Sequence, residues 1–179
     1  MNVGKICLSV TEHRFEVATA LPNAASRTNV CYPAFEILTG DQLTMLRFTQ
    51  LNAGWNAEPN APDLQVEQDD TSLVARFRPN PFLYPEFERV SWISIRFKNC
   101  ERYRITSKND HGWYNGQCRF SGLAPAWGEF YEISGDTRDD LDATPWIAMT
   151  GIGTRHYHFY FRDQALEVKA FDWSTRTVI

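Results

Sequence analysis

The clearest pattern along the chain is an alternation of apolar and polar residues with period two. In SWISIRFK (91–98), Ile93, Ile95 and Phe97 alternate with Ser94, Arg96 and Lys98, as in a half-buried strand of β-branched and aromatic residues. Asn99 and Cys100 interrupt it, and RYRI (102–105) follows with Tyr103 and Ile105 on the face opposite Arg102 and Arg104. WGEFYEI (127–133) predicts another strand after the breaker Pro125. HYHFYFRDQALEVKAFDW (156–173) predicts a hairpin turning at Asp163–Gln164. In it Tyr157, Phe159 and Phe161 face Leu166, Val168 and Ala170 as apolar cross-strand pairs. DLQVEQDDTSLVARF (63–77) predicts a second hairpin with Asp69, Asp70, Thr71 and Ser72 around its turn.

No window sustains the apolar stripe of an amphipathic helix over about a dozen residues. LTMLRFTQL (43–51) alternates imperfectly and suits a short helix as well as a strand, and residues 23–38 allow a helical turn before Pro33. The fold class that follows is all-β or β-rich α+β, an antiparallel sandwich or barrel-like sheet with at most one or two short helices. The proline-rich stretches WNAEPNAPD (55–63) and NPFLYPEFE (80–88) keep aromatic residues, so they read as packed loops rather than linkers. With no internal repeat, one globular domain over residues 1–179 is the expectation.

Composition narrows the partners more than the fold. The 179 residues are 43% hydrophobic and carry a net charge of −4, so disorder and an electrostatic footprint for duplex nucleic acid are both disfavoured. No run approaches the roughly 18 apolar residues of a membrane span, and the N-terminus lacks the apolar core of a secretory signal. A soluble, cytoplasmic protein is expected, with nucleic acid unlikely and no membrane association. Cys7, Cys31, Cys100 and Cys118 have no metal-knuckle spacing and read as buried thiols.

Candidate chemistry is sparse. His156 and His158, two apart on a strand, project from one face and form a weak candidate metal pair. With Arg162 opposite Ala165, Lys169 falls opposite His158 and Glu167 opposite Tyr160, and the lysine disfavours a cation there. A polar outer face is therefore the favoured reading of that strand. The run SGDTRDDLD (134–142) lacks the ligand spacing of a calcium loop and reads as a solvated turn. Arg96, Lys98, Arg102, Arg104 and Lys108 include only one acid, Glu101, and form a basic sheet face able to meet an anion or an acidic protein.

NDHGWYNGQCRF (109–120) places Asp110 and His111 beside Trp113 and Tyr114, and a tight turn through Asn109–Gly112 is its simplest structure. Asp110, His111 and Glu129 are the weak catalytic candidates. TGIGTR (150–155) has GxG spacing without a following helix, so a phosphate-cradling role is weak. No nucleophile elbow, P-loop, zinc-protease motif or dinucleotide fingerprint occurs.

The reading is a non-catalytic protein-interaction module that binds a partner through Trp113, Tyr114, Arg96, Arg102 and Arg104, without a cofactor. Its alternative is a small-molecule-binding barrel or metal-assisted enzyme with a polar pocket around His156 and His158. On the first reading, Trp113→Ala or Arg104→Ala weakens a complex without unfolding the domain. The two readings part on whether Glu129 and the histidine face line one concavity.

Overall fold

The alternating segments fold into two antiparallel sheets that face each other across an aromatic core. The computed structural model describes residues 45–137 and 143–178. Its strands are β1 (Arg47–Gln50), β2 (Gln65–Gln68), β3 (Leu73–Phe77), β4 (Trp92–Lys98), β5 (Arg102–Thr106), β6 (Phe130–Ser134), β7 (Ile147–Ala148), β8 (Arg155–Tyr160), β9 (Ala165–Ala170) and β10 (Asp172–Val178). One sheet has the order β1-β6-β8-β9-β5-β7 and the other β10-β4-β3-β2. Helical structure among the described residues is a 3-10 turn at Pro85–Phe87 and one short helix, α1 (Asp110–Tyr114). None is long and apolar enough to cross a membrane. The antiparallel sandwich expected from the patterning is the architecture found. The expectations for residues 1–44, including the helical turn in 23–38, Cys7 and Cys31, lie outside the described residues, as do residues 138–142 of the acidic run.

The central strands turn apolar residues to the space between the sheets, where the two faces must bury each other. Phe130 stands at the centre, with Phe97, Tyr157, Phe159 and Trp173 rings 5.1–6.0 Å away and Trp55 at 6.1 Å. Phe77 crosses from the four-stranded sheet to meet Phe159 edge-on at 5.2 Å.

The chain passes between sheets at two adjacent corners. Asn99, with φ of 49°, turns β4 into β5, and Phe171 N–H donates to Lys98 O at 3.0 Å where β9 becomes β10. The GxG of residues 150–155 is explained here. A Cβ on Gly151 would lie 2.3 Å from the Asn99 carbonyl carbon, and one on Gly153 2.5 Å from that of Lys169. The glycines serve close backbone approach rather than an anion.

The terminal hairpin turns one residue earlier than the sequence suggests. Tyr160 pairs with Ala165, so His158 faces Glu167 and His156 faces Lys169. The correction preserves strand parity, and Tyr157 and Phe159 still meet Val168 and Leu166 in the core. Its other face is not solvated as expected. His156, His158, Tyr160 and Glu167 are all buried beneath the segment 109–127, which packs a second apolar cluster of Phe120, Ala124, Tyr131 and Tyr160 on the outside of the six-stranded sheet. β5 keeps its expected facing, with Tyr103 in the inter-sheet core, but its arginine face is covered too. Ile105 is partly exposed, whereas Arg104 on the opposite face is buried, because cover over the sheet and a cross-strand Glu167 await it there.

Cys100 and Cys118 are both buried and reduced. Burial pushes the Cys100 thiol up to about 12.

Gly151→Ala and Gly153→Ala should each cost roughly 1–3 kcal/mol, the range for overpacking. Thr154→Ala, exposed just after them, should stay within about 0.5 kcal/mol. Urea midpoints of the three variants test the close-approach explanation.

Candidate functional site

Three regions hold the residues singled out by sequence, and the first is sealed. Glu167 lies in mid-β9 opposite both His158 of β8 and Arg104 of β5. Its Oε2 accepts from Arg104 Nη2 at 2.9 Å, Arg119 Nη1 at 2.8 Å and His156 Nε2 at 3.0 Å, while Oε1 accepts from Arg104 Nη2 at 3.0 Å. Arg119 continues to Asp136, and Trp146 covers the edge with the guanidinium of Arg104 4.3 Å from its ring centre. Two guanidinium and two carboxylate charges balance here with both histidines neutral. Burial would raise the Glu167 carboxyl, but the His156 hydrogen bond and the surrounding positive charge hold it below the ordinary range.

His158 is packed edge-on between Phe120 and Tyr160, with ring centroids at 5.2 and 4.1 Å, and neither nitrogen has a hydrogen-bond partner among the described residues. Burial lowers it to about 3. Burial also lowers His156, partly offset by its bond to Glu167. The pair does not form a metal site. Its nearest acidic group is already held by two arginines, and no three His, Cys, Asp or Glu among the described residues are disposed to hold a metal ion. Arg104 is therefore corrected from an exposed contact residue to a buried ion-pair partner, and its Ala variant should destabilise the fold.

The second region is a cleft of about 280 Å³ where Asp110, Trp127, Glu129 and Tyr160 meet Asn56 and Asn80. Asn109 caps α1 by accepting from Gly112 N–H at 2.8 Å, which fixes Asp110 as the first helical residue at the cleft rim. Gly128, at φ of 82°, makes the sharp turn that presents both Trp127 and Glu129. Glu129 Oε2 accepts from Asn52 Nδ2 at 2.5 Å and Gln50 Nε2 at 2.9 Å, and Oε1 from Asn56 Nδ2 at 3.3 Å. Burial raises its carboxyl, against the pull of the Asn52 and Gln50 amides. Asp110 and Glu129 are thus brought together, but the histidine pair and His111 do not line this cleft.

The third region is the outer face of the four-stranded sheet. Arg96 lies there, 3.0 Å from Asp69, with Trp92, Val74, Arg76, Arg176 and Val178 around a shallow concavity of about 550 Å³. Lys98 joins this face beside Asp172 at 3.4 Å. Arg102 sits elsewhere, on the six-stranded sheet, its guanidinium 4.8 Å from the ring centre of Trp146 and 3.6 Å from Glu101. Trp113 is half-buried against Trp127 and Tyr160, whereas Tyr114 is exposed. The five expected contact residues therefore do not form one surface. Sequence reasoning set Glu167 opposite Tyr160 rather than His158 and missed Arg119, Asn52 and Asn80. A turn placed one residue earlier would have paired Glu167 with His158, but no local signal marks the others.

Because the unfolded histidines titrate near 6.5 and the folded ones lower, the unfolded chain binds more protons below that pH. Stability is then full above about pH 6.5 and should fall by up to about 1.4 kcal/mol per pH unit for each histidine as pH drops from there. Glu167 adds to the loss below about pH 4.5. His158→Gln should flatten the pH dependence of urea midpoints between pH 6.5 and 5. Arg104→Ala should cost about 3–5 kcal/mol by stranding part of the Glu167 charge, which differential scanning calorimetry at pH 7 measures.

No known protein family, curated protein or solved structure matches this chain.

Proposed function

We propose that the chain is a protein-interaction module whose partner docks on the outer face of the four-stranded sheet. The observation that carries this reading is the asymmetry between the two sheets. The six-stranded sheet buries its outer face under residues 109–127, whereas no described element lies over Trp92, Val74 and Val178. An antiparallel sheet can leave a polar face to water, but this one offers an indole and two valines framed by arginines. Trp and Arg are the residues that most often anchor protein interfaces.

The charge on this face selects the partner. Arg76 is paired with Glu67 at 2.8 Å and Arg96 with Asp69, while Arg176 is exposed and has no ionic partner among the described residues. A neutral or mildly acidic protein surface fits, with a carboxylate for Arg176 and an apolar group against Trp92. Of the residues expected from sequence to make contact, Arg96 belongs to this surface. Tyr114, exposed on α1, serves as a control site away from it.

The test is site-specific photocrosslinking in the native host. A benzophenone side chain at Ser94, inside the face, should yield one discrete heavier product that the same probe at Tyr114 does not. Adding Trp92→Ala to the Ser94 probe should weaken capture by roughly thirtyfold, the scale of an interface anchor worth about 2 kcal/mol. Equal crosslinking at the two positions, or capture indifferent to both Trp92→Ala and Arg176→Glu, overturns the proposal.

A further inference from the structure

We infer that the cleft beside the Trp127–Glu129 turn binds a neutral polyhydroxylated ring of monosaccharide size. The assignment is independent of the sheet-face interaction and follows from counting unused hydrogen-bonding capacity. A carboxylate oxygen offers two lone pairs. Glu129 Oε2 spends both on Gln50 and Asn52, while Oε1 spends one on Asn56, leaving one acceptor direction. Asp110 uses Oδ1 for the His111 N–H at 2.7 Å and keeps Oδ2. Glu58 also lines the cleft; its Oε2 accepts from the Asn60 and Ala61 N–H groups and its Oε1 from Asn60 Nδ2 at 3.3 Å, which leaves one acceptor direction there too.

Asn80 supplies the complementary donor. The residue is only 4% exposed, and its Oδ1 accepts from Phe82 and Leu83 N–H at 3.0 and 3.2 Å. Its Nδ2 has no hydrogen-bond partner among the described residues, is not sealed from solvent, and belongs to a residue lining the cleft. Its two hydrogens are therefore open to an acceptor that enters the cleft. Trp127, half-buried and packed on Tyr160 at 4.3 Å, provides an aromatic wall.

The ligand class follows from that mixture. An ammonium group would satisfy Glu129 and Asp110 but leave the Asn80 donors unfilled, and an anion would meet the carboxylates of Asp110, Glu129 and Glu58 with only Arg162 to oppose them, whose Nη1 already donates to Asn60 O at 2.6 Å. A hydroxyl both donates and accepts, so adjacent hydroxyls on one ring can satisfy both acids and the amide together. The C–H face of such a ring is apolar and suits the indole. About 280 Å³ lies at the lower edge of small-molecule sites, enough for one ring rather than a chain.

The experiment is a titration of the folded protein with glucose, galactose, mannose and N-acetylglucosamine, followed by the tryptophan indole N–H signals in 15N NMR. Trp127→Phe assigns the Trp127 signal. One or more of these sugars should move that signal saturably, with a dissociation constant of about 1 mM or tighter. Asp110→Asn, a substitution at an exposed residue, and Glu129→Gln should each weaken binding by roughly tenfold or more while the other indole signals stay in place. No saturable shift with any of the four sugars at about 50 mM overturns the inference. So does a shift unaffected by both substitutions, or binding confined to glucosamine and other amines.

Discussion

The buried carboxylate of Glu167 is the point on which the outer half of the molecule depends. It is the common acceptor for groups from three places: Arg104 on the neighbouring strand β5, His156 on β8 at its other side, and Arg119 from the covering segment. A lone carboxylate so deep would be prohibitive, and two arginines around it are tolerable only because Asp136 restores neutrality. The network therefore acts as a fastener. It clamps residues 109–127 onto a sheet whose apolar inner face would fold against its partner sheet without them. It also supplies geometric specificity that the small outer cluster around Phe120 and Tyr131 lacks.

Among the described residues, the six-stranded sheet thus carries a covering layer and the four-stranded sheet does not. The cleft opens at the seam, where each contributor belongs to a different segment. Asp110 comes from the cover, Glu129 from the approach to β6, and Asn80 from the loop that leaves β3. Its shape thus depends on the seating of the cover, while the open sheet face is built on β2, β3, β4 and β10 alone. The two surfaces share no residue, so a defect in the Glu167 network should disturb the first and spare the second.

The inner sandwich was legible because period-two patterning encodes a two-faced strand, as in β4, β8 and the 63–77 hairpin. The outer face of β8 and β9 was not. Histidine, glutamate and lysine in alternate positions look like a solvated face, and only a covering layer from elsewhere in the chain turns that pattern into a core. Arg104 shows the same limit, since its burial is dictated by Glu167, 63 residues away. The cleft was half visible. Asp110 and Glu129 stood out as carboxylates near tryptophans, but the amides that orient Glu129 lie more than 70 positions earlier. The GxG at 151–153 carried a clear signal whose meaning, backbone crowding at a corner, needs the fold to interpret.

The two described cysteines lie in different parts of this construction. Cys100 stands at the corner where β4 becomes β5, inside the main core, and Cys118 lies within the covering segment beside its own Ser121. Neither thiol meets a reagent in solution while the structure is closed, so alkylation proceeds only through opening. The pair thus gives the protein two intrinsic clocks. Cys118 counts departures of the cover, Cys100 counts partings of the sandwich, and the ratio of their rates measures how independently the layers move.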